Sequence, residues 1–535
     1  MGYLAQRIPY RETGSFSSLV MDYLDHHPSL LPFASHELSL RGIQACIKER
    51  SSLPIDRDLL VKRLSEQYQG MELSEKIKEN LTLLSRSTCF TVTTAHQNNL
   101  FSGPLYFVYK ILHAIALAGE LKKKNPDADF VPVFYMGTED ADLDELDHIH
   151  IGPEKLQWNT EQTGAVGRMR IDRALVALID RLQGQLGVFP FGAEWIALLK
   201  ECFVEGRTMA EATFLLVHHL FASQGLLVLL PDHPDLKRSF IPILKRELLE
   251  QFTAPLVEEQ TQALVAAGYD VQARPRNINL FYLQDGSRKR IEKKGEQWVV
   301  QGTSLVFDVS SLVKEVEEHP ERFSPNVMLR GLYQCSLLPD VAFIGGGAEI
   351  SYWMQLAKLF SATSIPLPVL VLRNSFLLVE PTTTKRLANL GLSANQLFLS
   401  DDQLLRLLVD SKVMSQQDLT EEMNLLQQLY QQLQQQAGQL DPTLVAHVAS
   451  LEKRSLQGLQ GLEKKLWRVI KRKHLEQQSQ LQLIKSELFP GGQLQERHQH
   501  IGYFYARWGR GLIDQLLLHS QGLTQEFTIL HLPER

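Results

Sequence analysis

Cysteine is scarce. Four occur in 535 residues (Cys46, Cys89, Cys202 and Cys335), far apart and with no C-x-x-C pair. That spacing argues against a disulfide framework or a zinc knuckle and fits a reducing cytoplasm. A basic excess is missing too. Lys and Arg number 55 against 61 Asp and Glu, a formal charge of −6, so nothing drives sequence-independent binding to nucleic acid. No apolar run is long enough to span a membrane. The most apolar stretch, 214–230, is interrupted by His218, His219, Ser223 and Gln224, where a spanning helix needs about 20 mostly apolar residues. The opening MGYLAQRIPYRETGSF lacks the apolar core of a signal peptide. A soluble, cytoplasmic protein is expected, with neither nucleic acid nor membrane as partner. Neither a G-x-G-x-x-G fingerprint nor a G-x-x-x-x-G-K-[ST] loop is present.

What is present is an ordinary globular composition, 44% hydrophobic and 22% charged. The length suggests three or four structural units at roughly 150 residues each, or one large core with insertions. Residues 1–88 read as a helical segment. From 89 to 400, short apolar runs alternate with amphipathic helices, the pattern of an α/β fold with a parallel sheet. Five runs qualify as strands: 90–95 (FTVTTA), 131–136 (VPVFYM), 226–230 (LLVLL), 341–344 (VAFI) and 369–372 (VLVL). Helices are expected over 105–123 and 237–267. Two stretches depart from the alternation: 150–220 reads as a mainly helical insertion, and 274–330 opens with a hairpin signal at Asp285-Gly286.

Residues 401–490 turn to Gln, Leu, Glu and Lys. Leu419, Met423, Leu426, Tyr430, Leu433, Ala437 and Leu440 alternate spacings of four and three, a heptad seam. After Asp441-Pro442 a second pattern carries Leu444, Val448, Leu451, Leu459, Leu462, Leu466 and Val469. Two arms on a short turn predict an antiparallel coiled-coil hairpin, with the run Lys464, Lys465, Arg468, Lys471, Arg472 and Lys473 on its wet face. Residues 491–535 read as a helical tail that returns to the core.

Open parallel sheets bind ligands beyond the carboxyl ends of their strands. The first strand is followed by His96, Gln97 and Asn99, then Ser102-Gly103-Pro104 at a helix start, where free backbone N–H groups favour an anion. The second is followed by Glu139, Asp140 and Asp142. These suit Mg²⁺ or an amine; equally, an acidic first turn complements a helix dipole. Gly345-Gly346-Gly347 follows the fourth strand and Arg373 the fifth. A glycine triplet allows close approach to backbone N–H groups, or simply a tight turn. Lys110 reads as a surface charge.

Taken together, these residues resemble the cysteine-adding enzyme family of bacillithiol biosynthesis, BshC. The resemblance rests on Thr94-Ala-His-Gln-Asn-Asn-Leu-Phe-Ser-Gly-Pro-Leu-Tyr106, on 131–136 with Thr138-Glu-Asp-Ala-Asp142, and on Arg274-Pro-Arg276 with Asn279-Leu-Phe-Tyr282. It continues through Ser324-Pro-Asn-Val-Met-Leu-Arg330, Gly345-Gly-Gly-Ala-Glu-Ile-Ser-Tyr-Trp353 and Gln495-Glu-Arg497. Ala95 stands where the family usually has Gly, and Ala141 where it often has His. The resemblance implies a Rossmann-like core with connecting-peptide insertions and a coiled-coil domain that mediates a homodimer. It also implies a ligase that joins L-cysteine to the amine of glucosaminyl malate, the last step of bacillithiol synthesis. By analogy with nucleotidyltransferase-type sheets, His96 occupies the phosphate-holding loop, and Lys385 is the stand-in for an absent K-M-S-K-S lysine. The expected chemistry is activation of the cysteine carboxylate by ATP or a related nucleotide, with Mg²⁺ as a further cofactor. His96, Glu139, Asp140 and Asp142 are then catalytic. Gln97, Asn99, Ser102, Gly103, Gly345, Gly346, Gly347 and Arg373 hold the nucleotide. Arg274, Arg276, Asn279 and Arg330 hold the substrate carboxylates. Two other readings stay open: a nucleotide-dependent ligase or nucleotidyltransferase with another amine acceptor, and a non-catalytic coiled-coil assembly protein.

Overall fold

The structure, a computed structural model, describes residues 2–408 and 419–534. The chain divides into two compact units, one of residues 5–377 with 493–530, the other of residues 378–492 with a few from each terminus.

The larger unit is built on a five-stranded parallel sheet. Its strands are β1 (Cys89–Gln97), β2 (Asp129–Gly137), β3 (Leu227–Leu229), β4 (Asp340–Gly345) and β5 (Val369–Leu372), in the order β5-β4-β1-β2-β3. Each apolar run singled out above overlaps one strand, because parallel strands covered on both faces need near-continuous apolar sequence. The longest register pairs Cys89 with Asp129 through to Gln97 with Gly137. The order reverses between β1 and β4, so a crevice opens at their carboxyl ends. At the opposite end of β4 Asp340 is fully buried and takes the hydroxyls of Thr91 and Thr93.

Helix α1 (Tyr106–Lys124) crosses from β1 to β2 and is buried along most of its length. The 150–220 region opens with a two-stranded hairpin, His148–Ile151 against Glu154–Gln157, before its three helices begin at Arg173. The single helix expected over 237–267 is three: Pro234–Arg238, Ile241–Glu250 and Thr253–Ala266. Gln251 breaks the run by adopting φ +55°. Residues 280–325 form a separate antiparallel sheet of five strands. In it Leu280–Gln284 and Ser287–Lys294 are joined through Asp285-Gly286, with Gly286 at φ +69°.

The tail 493–530 belongs to this unit. Two buried histidines fasten it. His500 Nε2–H donates to the carbonyl of Phe101 (2.7 Å) and His113 Nε2–H to that of Gly522 (2.7 Å). Their Nδ1 atoms accept the N–H groups of Gly502 and Asn374.

The smaller unit contains the hairpin. Helix α2 (Thr420–Leu440) packs antiparallel on α3 (Leu444–Lys473), with Tyr430 against Ser455 (2.8 Å) and Gln434 against Glu452 (2.9 Å). At 1.5 Å per residue, the 30-residue α3 extends about 45 Å before a break at His474. On the first arm Leu419, Met423, Leu426, Tyr430 and Ala437 are half-buried as the heptad predicts, whereas Leu433 and Leu440 are exposed. The second arm follows expectation only in part: Val448, Leu459 and Leu466 are half-buried, joined by Val445 and Ser455, while Leu444, Leu451, Leu462 and Val469 are exposed. Lys464, Lys465, Arg468 and Arg472 are exposed; the side chains of Lys471 and Lys473 lie outside the described residues. Lys385, the stand-in for a phosphate-binding lysine, is an exposed residue of this unit, paired with Glu534 at 2.6 Å.

Candidate active site

A cavity of about 620 Å³ lies at the carboxyl ends of the parallel strands, where the strand order reverses. Four strand ends reach it: His96 and Gln97 end β1, Asp140 and Asp142 follow β2, Gly346 and Gly347 follow β4, and Arg373 follows β5. Arg274 and Arg276 line it from a loop, Arg288 and Arg290 from the antiparallel sheet, and Arg497 from the tail. All belong to the larger unit.

The wall is strongly cationic. Seven arginines and Lys110 face Asp140, Asp142, Glu145 and Glu349, a formal excess of four positive charges. Some are neutralised locally. Lys110 Nζ sits 2.5 Å from Glu349 and donates to the carbonyl of Ala95 (2.8 Å). Arg373 pairs with Glu496 (2.7 Å), and Arg288 lies 3.6 Å from Asp140. Arg274, Arg276, Arg290 and Arg497 have no carboxylate partner among the described residues, nor do Asp142 and Glu145 a cationic one. Such a cavity suits an anion that also carries an amine. The guanidiniums pair with carboxylate or phosphate, and the free carboxylates accept from an ammonium.

Burial, with Lys110, Arg330 and Arg373 nearby, holds the His96 imidazole well below its ordinary range. At neutral pH it is therefore uncharged and acts as a hydrogen-bonding group. Its Nε2 is buried with no partner, and the ring meets Tyr106 and Phe107 edge-on. Burial likewise lowers Lys110, against the pull of Glu349. Arg330 donates to the Tyr352 hydroxyl (2.6 Å), which fixes its reach into the cavity.

Ten residues named from the sequence thus share one cavity: His96, Gln97, Asp140, Asp142, Arg274, Arg276, Arg330, Gly346, Gly347 and Arg373. Six do not line it. Asn99, Ser102 and Gly103 are folded into a tight turn whose N–H groups bond to Gln97, Asn99 and Leu100 carbonyls. The N–H of Leu105 at the start of α1 is taken by the tail, through the carbonyl of Gln499. A Cβ on Gly103 would meet the Asn99 side chain at 2.6 Å, so this glycine serves packing. The carbonyl of Gly345 accepts the Arg373 N–H, and the Gly346 N–H is occupied by Glu349 (2.8 Å). The glycine loop therefore offers less free backbone to an anion than its sequence suggests. Asn279 is fully buried and holds Glu247 and the Arg276 carbonyl. Glu139 turns away and pairs with Lys237 at 2.7 Å.

Lys110 is no surface charge; it is 2% exposed and lines the cavity. The available signal is that Lys110 stands alone in the otherwise apolar run Tyr106–Leu112 that opens the helix. Arg288 and Arg290 stand two apart on one strand and so share a face, and that alternation is the signal in the sequence that points to them.

A family model described as "Bacillithiol biosynthesis BshC, N-terminal Rossmann-like domain" matches residues 4–374, and one described as "Bacillithiol biosynthesis BshC, C-terminal coiled-coil domain" matches 376–532. The chain belongs to the BshC family. Curated BshC relatives cover nearly its whole length. A Flavobacterium johnsoniae protein named "Putative cysteine ligase BshC" is 37% identical, over 98% of this chain and 99% of its own. Proteins of the same name from Flavobacterium psychrophilum (35%, 98% of each chain) and Cytophaga hutchinsonii (34%, 94% of each) are similar. The BshC fold expected above, a Rossmann-like domain followed by a coiled coil, is the fold observed. No helix among the described residues is long and apolar enough to cross a membrane.

Proposed function

We propose that this BshC chain is a ligase that forms an amide between the carboxyl group of L-cysteine and the amine of glucosaminyl malate, the last step of bacillithiol synthesis. The observation that carries the reading is the meeting of His96, Asp140, Gly346 and Arg373 on one cationic cavity. Joining a carboxylate to an amine in water is uphill. The cysteine carboxylate is therefore activated first, as an adenylate or acyl phosphate formed from ATP. In this reading Arg373, Lys110 and the neutral His96 face the phosphates and the oxyanion that develops on the acyl carbon, where fixed donors act without reorganising. Asp140 and Asp142 hold and deprotonate the attacking amine. Arg274, Arg276 and Arg330 take the malate carboxylates, a pairing that guanidinium geometry favours.

Among the described residues no three His, Cys, Asp or Glu side chains converge to hold a metal. Asp140 and Asp142 still offer the one or two carboxylates that suit Mg²⁺ carried mainly by phosphate and water. Bound there, it would neutralise phosphate charge. A homodimer through the coiled coil belongs to the same proposal, supported by the exposed Leu425 and Leu429 on α2 and Leu451 and Leu462 on α3. Sedimentation of Leu429→Glu checks it, with a monomer expected.

Incubation with cysteine, ATP and glucosaminyl malate, read by mass spectrometry, tests the activity. The expected product is the cysteinyl amide, lost in His96→Ala and Asp140→Asn. Unchanged turnover in both variants would remove the proposed site. Product with a different amino sugar alone would establish another acceptor.

A further inference from the structure

Arg274 and Arg276 stand on a strap, residues 271–279, that belongs to no helix or strand, and both are exposed where they line the cavity. A loose strap would have to be ordered each time a ligand bound, at a cost in affinity. Two buried amide side chains hold this one. Gln355, 1% exposed, takes both polar groups of Ala273: its Oε1 accepts the Ala273 N–H (3.1 Å) and its Nε2–H donates to the Ala273 carbonyl (2.9 Å). Asn279, 0% exposed, does the same for Arg276, with Oδ1 accepting the N–H (3.0 Å) and Nδ2–H donating to the carbonyl (2.7 Å). Between the two bracketed residues lie only Arg274 and Pro275, whose ring fixes φ. Each bracket is itself anchored. Gln355 also donates to Thr261 Oγ (2.7 Å). Asn279 donates its N–H (2.8 Å) and Nδ2–H (2.9 Å) to Glu247, a fully buried carboxylate whose other oxygen takes Thr253. The same framework reaches Arg330. Asn279 Oδ1 accepts from Asn326 (2.9 Å), which caps the helix Val327–Leu337 that carries Arg330. Gln355 directly follows the helix Gly347–Met354, whose Tyr352 accepts from Arg330. A solvent-facing strap can satisfy its N–H and carbonyl groups with water, so folding alone does not call for two buried side chains here.

We infer that Gln355 and Asn279 are positioning residues: they hold the strap so that Arg274 and Arg276, with Arg330, form a clamp for the two carboxylates of the acceptor before it arrives. The inference deepens the proposed function and rests on its assignment of these three arginines to the malate carboxylates. Neither amide lines the cavity. Each acts through the backbone of the strap, and so the guanidiniums are spared the ordering that a free segment would need on binding. Selectivity follows from the same geometry. An acceptor with a single carboxylate leaves part of a clamp that cannot collapse around it unpaired.

The test uses the full chain. Gln355→Met keeps the volume and removes both bonds to Ala273. A strap set correctly about a tenth of the time binds roughly tenfold more weakly, and that loss is expected in calorimetric affinity for glucosaminyl malate. Added to Arg274→Met with Arg276→Met, the same change should have no further effect, because the strap then carries nothing to position. A loss caused by general destabilisation would be equal in both backgrounds. In the free protein, hydrogen exchange at the Ala273 amide should be slow in the wild type and fast in Gln355→Met. Pro275→Gly removes no hydrogen bond and loosens the strap from within, with about fivefold weaker binding expected; it decides the matter if Gln355→Met does not fold. Unchanged affinity in the deciding variant, or equal losses of Gln355→Met in the two backgrounds, overturns the inference. Wild-type protein that binds no glucosaminyl malate, with the Ala273 amide protected, counts instead against the assignment of the arginines to malate and leaves the bracket standing.

Discussion

Replacing Glu496 by Gln should destabilise the larger unit far more than its conservative shape suggests. Arg373 and Glu496 are 2.7 Å apart, with side-chain exposures of 4% and 0%. The same carboxylate accepts the Ser375 hydroxyl (3.1 Å), and the carbonyl of Arg373 accepts from Tyr10 (3.0 Å). Glutamine keeps an acceptor for Ser375 but leaves the guanidinium charge buried and unpaired. Breaking a buried pair in this way costs about 3–5 kcal/mol. Arg373→Met leaves the opposite charge unpaired at similar cost. The double variant removes both charges, so a coupling energy of at least about 2 kcal/mol is expected from the cycle. Urea unfolding followed by tryptophan fluorescence reads the effect, since Trp158, Trp195, Trp298 and Trp353 are fully buried in this unit. A Glu496→Gln loss below about 1 kcal/mol, or single-variant losses that simply add, would refute the argument that the tail is tied to the cavity wall by charge.

Burial pushes His113 and His500 down from 6.5 to about 4, so between those values the native state binds fewer protons than the unfolded chain. Stability from these rings is complete above pH 6.5 and lost as the pH falls toward 4, on the order of 3 kcal/mol each at most. The raised Glu139 works in the opposite sense, its contribution falling as pH rises from 4.5 to 7. Two histidines outweigh it, and urea midpoints should drop between pH 6.5 and 4.5, less steeply in His500→Gln; parallel slopes would contradict this. Lys110→Met should lower both stability and nucleotide-dependent turnover, while Lys110→Met with Glu349→Gln restores stability but not turnover. Recovery of both in the double variant would show that Lys110 only balances Glu349.

The strands of the core and the rim they form were legible because local chemistry dictates both. A strand buried on two faces must be an apolar run, and its carboxyl end is where polar residues gather. What remained hidden was non-local. Nothing near Ser102-Gly103 announces that the carbonyl of Gln499, almost four hundred residues on, takes the helix N-terminus it was expected to offer. Glu349 closing on the Gly346 N–H is a local capping bond three residues away and was open to being read. Lys110 looked like surface because lysines usually are, and only the packing of α1 between the sheet and the tail buries it. The phase of the second coiled-coil arm depended on which face meets Tyr430, and a heptad with a stutter leaves that undecided.

The central claim is that one arginine-rich cavity receives the dicarboxylate amine acceptor. Titration calorimetry of glucosaminyl malate into the wild-type protein and into Arg274→Met with Arg276→Met tests it most directly. Each charged hydrogen bond lost is worth about 1.5–3 kcal/mol, so the double variant should bind at least about a hundredfold more weakly, with unchanged unfolding. Equal affinity in the two proteins would contradict the claim.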